Sequence, residues 1–328
     1  MKIIAVIVTY SSRAEYLSQV VGECLSQGVD KVIIIDNGSP IDNQKKIREL
    51  QLLDPLERII IHVNDKNEGS APGFGLGIRL ATEESDDDSW LLILDDDNKL
   101  GVGAISYLRT LAHDNGFYNA YCCLRCDRKH YTDFLATRDQ KILLGAPNAF
   151  VYFSFIEFIK NRLNRVKCLP IPNDNNEPIH CPCGPYGGLF ISTQAIKKTD
   201  SPNESLYLYF DDTEFTLNLK NHGITLWLAP QAKVFDIDKS WGNEKLSNHF
   251  SHQYLEADEF RMKYFFRNRV YLEKKYFVNK KYVYGLNIFI YLFYLGIRAV
   301  LSGSISKYKI ICKSVIEGWN FGTKDGTH

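Results

Sequence analysis

With 328 residues, 45% of them hydrophobic, the chain is long enough to bury one large domain and a smaller one. Its 39 basic and 39 acidic residues balance, so no bulk polycationic character invites nucleic acid, and any basic function must be local. The eight cysteines are too scattered for a disulfide scaffold, and polar Thr9 to Arg13 interrupt the first apolar run too early for a signal peptide, so a reduced, cytoplasmic chain is expected.

Ile3 to Val8 reads as a buried strand, followed by a helix over 13–27 with Leu17, Val20, Val21, Cys24 and Leu25 on one face. Lys31 to Ile35 is a second strand, ending in Asp36-Asn-Gly-Ser-Pro40; a helix over 41–53 and a third strand, Arg58 to Val63, come next. Asn67 to Gly77 reads as a glycine-rich loop running into a helix through Ala81. Trp90 to Leu94 is apolar without alternation, the pattern of a strand covered on both faces, and it runs straight into Asp95, Asp96 and Asp97. Strands alternating with helices imply an α/β fold with a mostly parallel sheet, whose ligands bind at the carboxyl ends of the strands.

Three adjacent carboxylates repel one another and need a compensating cation, most simply a divalent metal with hard oxygen ligands; a solvated acidic turn is the bland alternative. A nicotinamide site is disfavoured, because no Gly-x-Gly-x-x-Gly follows the first strand and Gly73-x-Gly-x-Gly77 has the wrong spacing.

Further on, Gly116 to Leu124 suits a strand, Ala149 to Ile159 is a dense aromatic run, and Pro170 to Pro182 reads as an exposed loop. Cys181-Pro-Cys183 lacks a second ligand pair at zinc spacing and reads as ordinary thiols. Leu206 to Phe210 is a strand-like aromatic run leading into Asp211, Asp212 and Glu214 and then a helix. Asp211 can cap that helix, and acids in a first turn complement its dipole. Capping does not account for three acids beside an aromatic cluster, where a partly dehydrated carboxylate suits accepting a proton from a sugar hydroxyl. Gly187-Gly188 just upstream allow close approach of backbone to ligand. In the last quarter, apolar Tyr282 to Leu301 is interrupted by Asn287 and Arg298 and flanked by lysines. Contact with an anionic inner leaflet is the leading reading, ahead of a helix pair packed on the core and of a membrane span; an oligomer interface competes for the same surface.

Taken in order, Val6-Ile-Val-Thr-Tyr10, Ile35-Asp-Asn-Gly-Ser39, Asn67-Glu-Gly69 with Gly73 to Gly77, Leu94-Asp-Asp-Asp97, Gly187-Gly-Leu-Phe190, Phe210-Asp-Asp-Thr-Glu-Phe215 and Tyr264-Phe-Phe-Arg-Asn268 resemble the family 2 glycosyltransferases of the GT-A fold. The resemblance is to their bacterial rhamnosyl- and galactofuranosyl-transferase branch. It implies a Rossmann-like GT-A domain over 1–265, with 1–115 binding nucleotide sugar and 116–265 the acceptor, and a C-terminal helical extension over 266–328. Thr9, Tyr10 and Asp36 would hold the base and ribose, with Asn67, Gly69 and Gly73 nearby and Asp95 and Asp96 on the sugar diphosphate. Asp97 would be the leading ligand of a Mn2+ or Mg2+ ion, with Asp95. Asp212 would be the general base, and Glu214 or Asp211 would orient the acceptor.

Two departures stand out. Asp236-Ile-Asp238 occupies the place of the family's metal-binding His, so Asp236 is expected to replace it; the family's early Arg is displaced by one position, to Arg13. The implied reaction is a metal-dependent, inverting transfer of a hexose, galactofuranose or rhamnose being favoured, from a UDP- or dTDP-linked donor. The acceptor would be a lipid-linked glycan of bacterial surface polysaccharide, O-antigen or capsule, made at the inner face of the plasma membrane. The rivals are an inactive glycan-binding or scaffold subunit and a nucleotidyltransferase, which would want a basic glycine-rich loop after the first strand.

Overall fold

The computed structural model describes residues 1–163, 176–238, 255 and 258–322. Its opening elements follow the apolar pattern: β1 (Ile3–Thr9), α1 (Ala14–Ser26), β2 (Lys31–Asp36), α2 (Ile41–Leu52), β3 (Ile59–Val63), α3 (Ser70–Glu83) and β4 (Trp90–Asp95). The chain continues through β5 (Asn98–Leu100), α4 (Ala104–Asn115), β6 (Asn119–Arg125), α5 (Lys129–Thr137), α6 (Lys141–Leu144) and α7 (Phe155–Leu163). Next come β7 (Ile179–His180), β8 (Leu189–Ser192), α8 (Thr193–Ile196), α9 (Asp211–Asn218), β9 (Thr225–Asp236), α10 (Glu259–Tyr276), α11 (Lys281–Leu301) and α12 (Ile305–Asn320). Of the expected loop from Pro170 to Pro182, residues 170–175 lie outside the described residues.

These elements form two compact units. The first comprises described residues 1–138, 176–207 and 211–238; the second comprises 139–163, 208–210, 255 and 258–322. The first unit is built on one sheet, ordered β3-β2-β1-β4-β8-β6-β9-β5, with β7 also pairing β9. β3, β2, β1 and β4 are parallel; β8 is inserted antiparallel between β4 and β6. All seven residues of β1 are buried, as a strand with both faces covered requires. The register pairs Thr9 with Asp36 and Val8 with Asp95, so the carboxyl ends of three neighbouring strands carry the unusual residues side by side. Chain order switches direction at β1, with β2 on one side and β4 on the other, and such a switch opens a crevice there.

The glycine-rich stretch is not the loop that its composition suggests. Helix α3 starts at Ser70, and Gly73 and Gly77 lie on its buried face. A Cβ on Gly77 would come within 2.5 Å of Val6 Cγ1 and 3.2 Å of Ile35 Cγ1; one on Gly73 would come within 3.0 Å of Val8 Cγ1. These glycines let a helix settle directly on the branched side chains of β1 and β2. Gly77→Ala is therefore expected to destabilise the chain by about 1–3 kcal/mol through overpacking, although Ala is the better helix former by about 1 kcal/mol. Urea denaturation gives the sign, and a stabilised variant would mean that α3 does not bear on the sheet.

The aromatic run before Asp211 is a turn, not a strand. Tyr207, Tyr209 and Phe210 have φ of 65°, 66° and 64°, a left-handed backbone that no ladder accommodates. Two successive carbonyls, of Leu208 and Tyr209, turn onto the Asn268 side-chain amide at 2.7 and 3.0 Å. The second unit has its own apolar core, formed by Phe150, Phe153, Phe266, Val270, Tyr291 and Leu295 among others.

Candidate active site

Each strand end contributes differently to the crevice. Thr9 is fully buried and its hydroxyl donates to Asp96 Oδ2 at 2.7 Å, so it positions a carboxylate. Tyr10, the next residue, is exposed. Asp36 is completely buried. Its Oδ1 accepts from the Ser39 N–H at 2.9 Å, while Oδ2 has no partner among the described residues. A buried oxygen left unmatched is costly, and a donor on a ligand would satisfy it. Asn37, which sequence reasoning did not single out as a site residue, ties this turn to the next. Its Nδ2 donates to Gly69 O at 2.8 Å and to Asn67 Oδ1 at 3.1 Å, and its Oδ1 accepts from Glu68 N. Gly69 has φ of 95°, and a Cβ there would strike the Tyr207 carbonyl and ring, so no other residue fits. Gly73, grouped with these by sequence, instead packs on Val8.

Two carboxylates of the acidic triplet meet one guanidinium group. Arg13 Nε meets Asp96 Oδ1 at 2.8 Å, its Nη2 meets Asp97 Oδ2 at 2.9 Å, and its Nη1 meets Asp238 at 2.9 Å. Burial pushes Asp96 up to about 7 against the pull of Arg13 and Thr9. Asp97 Oδ1 also accepts from Asn98 Nδ2 at 3.1 Å. Asp95 differs from both: it is half-buried, and no described residue donates a hydrogen bond to its carboxylate.

Asp236, the expected third metal ligand, is paired with guanidinium groups. It is held by Arg125 and, at 3.0 Å, by Arg128, and accepts from Asn98 Nδ2 at 3.0 Å. No group of three or more His, Cys, Asp or Glu side chains gathers at metal-binding range among the described residues. The physical reason is that Arg125 ends an apolar strand in a fully buried position, and a buried guanidinium claims the nearest carboxylate. The signal was present in Cys122-Cys-Leu-Arg125, a charge closing an apolar run, and was overlooked.

Asp211 begins α9 and accepts from the Ser70 hydroxyl at 2.9 Å. Both Thr213 bonds to Asp212, from N–H at 2.6 Å and from the hydroxyl at 3.1 Å, go to Oδ1. Oδ2 of this half-buried residue carries no hydrogen bond from any described residue. Burial raises Asp212, and the Thr213 bonds followed by Arg128 and Arg125 pull it down. Burial likewise raises Asp95, against Arg125 and Arg128, and the Asp212 charge raises it further. The two open carboxylates therefore share one field. Gly187 brings the backbone into it: a Cβ there would lie 2.9 Å from Asp95 Oδ2 and 2.5 Å from Arg125 Nη1 and would overlap Asn98. Tyr186 was also missed. Its buried hydroxyl has no partner among the described residues, and burial together with the charges of Asp211, Asp212, Glu214 and Asp95 keeps it a neutral donor. Glu214 is buried one turn into α9. Cys181 and Cys183 are buried, with Cys181 Sγ donating to the Cys183 carbonyl at 3.0 Å.

Comparisons with known proteins agree with this fold. No curated protein is similar enough in sequence to count as a relative. Among solved structures, the crystal structure of GalNAc-T7 with UDP, GalNAc and Mn2+ superposes with a TM-score of 0.53 at 14% identity, covering 80% of this chain. This chain spans only 47% of that protein's length. The mannosyltransferase PcManGT from Pyrobaculum calidifontis, in complex with GDP-Man and Mn2+, gives a TM-score of 0.53 at 10% identity, covering 98% of this chain and 76% of that one. At such identities the likeness establishes a fold, the mixed α/β GT-A architecture followed by helices. The sequence model described as "Glycosyl transferase family 2" matches residues 4–171, which is half of the chain. The chain belongs to glycosyl transferase family 2.

Proposed function

We propose that the chain is an inverting hexosyltransferase of the rhamnosyl- and galactofuranosyl-transferase branch, using a UDP- or dTDP-linked donor and a divalent ion. Its acceptor is a glycan on a lipid carrier in surface polysaccharide synthesis, and it works at the cytoplasmic side of the membrane. The observation that carries the reading is Asp212, whose Oδ2, bonded by no described residue, shares a buried field with the carboxylate of Asp95 and with Arg125 and Arg128. The UDP with Mn2+ and the GDP-Man with Mn2+ held by the two structural neighbours support a nucleotide sugar and a metal ion.

Asp36, with its unmatched oxygen, takes a donor group of the base or ribose. Asp95 and Asp97 are the residues that fit a Mn2+ or Mg2+ ion. Two carboxylates completed by substrate phosphates suffice for such a site, so Asp236 is not required. When bound, the ion neutralises charge developing on the departing diphosphate. Asp212 Oδ2 accepts the proton of an acceptor hydroxyl as that oxygen bonds to the anomeric carbon. The bond from that carbon to the diphosphate oxygen breaks in the same step, its electron pair leaving with the nucleotide. Arg125 and Arg128 add fixed positive charge to the same crevice. The Tyr186 hydroxyl and Glu214 orient the sugars.

The pairing of Arg13 with Asp96 and Asp97 favours a second reading, a glycan-binding chain without turnover. Calorimetric titration of UDP and dTDP, each with and without Mn2+ or Mg2+, tests the first. One nucleotide should bind in a metal-dependent manner, and Asp97→Ala should weaken that binding roughly tenfold or more. If neither nucleotide bound under any metal condition, glycosyl transfer would be abandoned.

A further inference from the structure

The second unit presents an apolar face that its own core does not cover. On α11, Tyr282, Leu286, Phe289, Phe293, Ile297 and Val300 are between 47 and 76% exposed. Their spacing of three and four places them along one side of the helix. The opposite side is fully committed: Tyr284, Tyr291, Leu295 and Ala299 are buried in the core of this unit. Asn287, also buried, donates to Asn148 O at 2.8 Å and accepts from the Phe155 N–H at 2.9 Å. That second bond ties the start of α7 to the middle of α11. Helix α7 in turn exposes Phe155, Ile156, Phe158 and Ile159 ahead of Lys160 and Arg162. A continuous apolar stripe such as that of α11 marks an interaction site, whereas single exposed apolar residues do not.

The charge of the same stretch identifies the partner. Residues 274–316 hold eight Lys or Arg and no Asp or Glu, in a chain whose total charge is balanced. Lys280, Lys281 and Lys309 are exposed there, while exposed Lys313 meets Glu317 at 3.8 Å. A second copy of this chain docked face to face would bring two such basic regions together, whereas anionic headgroups would neutralise them. At 21 residues α11 is long and apolar enough to cross a bilayer. Spanning would, however, withdraw its packed face from α10 and α12 and strand the Asn287 bonds in hydrocarbon. We propose that the exposed side of α11 is a docking surface for an anionic lipid bilayer, with α11 lying in the plane of the interface.

Flotation of the full chain tests this, using vesicles of phosphatidylcholine alone and vesicles containing one third phosphatidylglycerol. The chain should bind the anionic vesicles and be released by salt. Phe289→Glu with Phe293→Glu should weaken binding at least tenfold, by removing the inserted side chains. Lys280→Glu with Lys281→Glu should weaken it on anionic vesicles only, and thermal melts should show both variants folded. Absence of binding to anionic vesicles, or binding indifferent to both pairs of substitutions, would overturn the proposal. A solution dimer dissociated by Phe289→Glu would give the face to a second copy, and resistance to alkaline extraction from cell membranes would make α11 a span; either result overturns it as well.

Discussion

Asp212→Asn is expected to lower turnover by roughly a hundred- to ten-thousandfold, the range for removing a positioned general base. On the barrier that is about 3–5 kcal/mol. The substitution keeps size and shape, and the amide oxygen can still accept both Thr213 bonds, so the turn at the start of α9 should persist. What is lost is basicity at Oδ2, the atom that no described residue engages. Nucleotide affinity measured by calorimetry should therefore stay within about twofold of wild type, separating lost chemistry from lost binding. The wild-type pH profile offers a second check. Burial raises Asp212 above the ordinary carboxylate value of 3.8, and the base acts only when ionised. Activity should thus fall as pH drops through that raised value, at a higher pH than a solvated Asp would give, and Asp211 beside it makes the apparent value a property of the pair. Turnover by Asp212→Asn within about threefold of wild type would remove Asp212 from the chemistry.

Glu273→Ala is expected to destabilise the second unit by about 3–5 kcal/mol, the cost of leaving a buried charge without its counter-ion. Glu273 and Arg269 are both about 1% exposed, with Arg269 Nε donating to Glu273 Oε1 at 2.6 Å. Glu273 also accepts from the Val151 N–H and the Tyr284 hydroxyl, each at 2.8 Å, so one truncation orphans three donors. The Arg269 guanidinium keeps its bond to the Leu144 carbonyl at 2.8 Å and its position 3.9 Å over the Tyr152 ring, neither of which supplies a negative charge. Urea denaturation followed by far-ultraviolet circular dichroism measures the loss. Replacing both partners, Arg269→Met with Glu273→Leu, should recover much of it, because apolar groups of similar volume leave no buried charge. A single variant as stable as wild type would mean that the pair is not buried in solution.

Sequence alone determined the order of strands and helices through β4, the parallel pairing of those four strands, and the position of Thr9, Asp36 and Asp95 at strand ends. Those conclusions rest on periodicity, which is a local property of the chain. The acidic first turn of α9 and the helical character of the last quarter were legible for the same reason. Tertiary structure decided the rest. Whether Gly73 and Gly77 serve a ligand or let α3 settle on a sheet depends on what an added Cβ would meet, and Val6, Val8 and Ile35 lie within about 3.2 Å of it. The run from Tyr207 to Phe210 has strand composition, yet two of its carbonyls are turned onto Asn268, sixty residues away in the chain. The clearest case is electrostatic. Asp95, Asp96, Asp97 and Asp236 look alike in sequence, but Arg13 takes two of them and Arg125 with Arg128 takes another. Asp95 and Asp212 are left open because charge pairing is settled by distances between strands, which no local pattern of residues records.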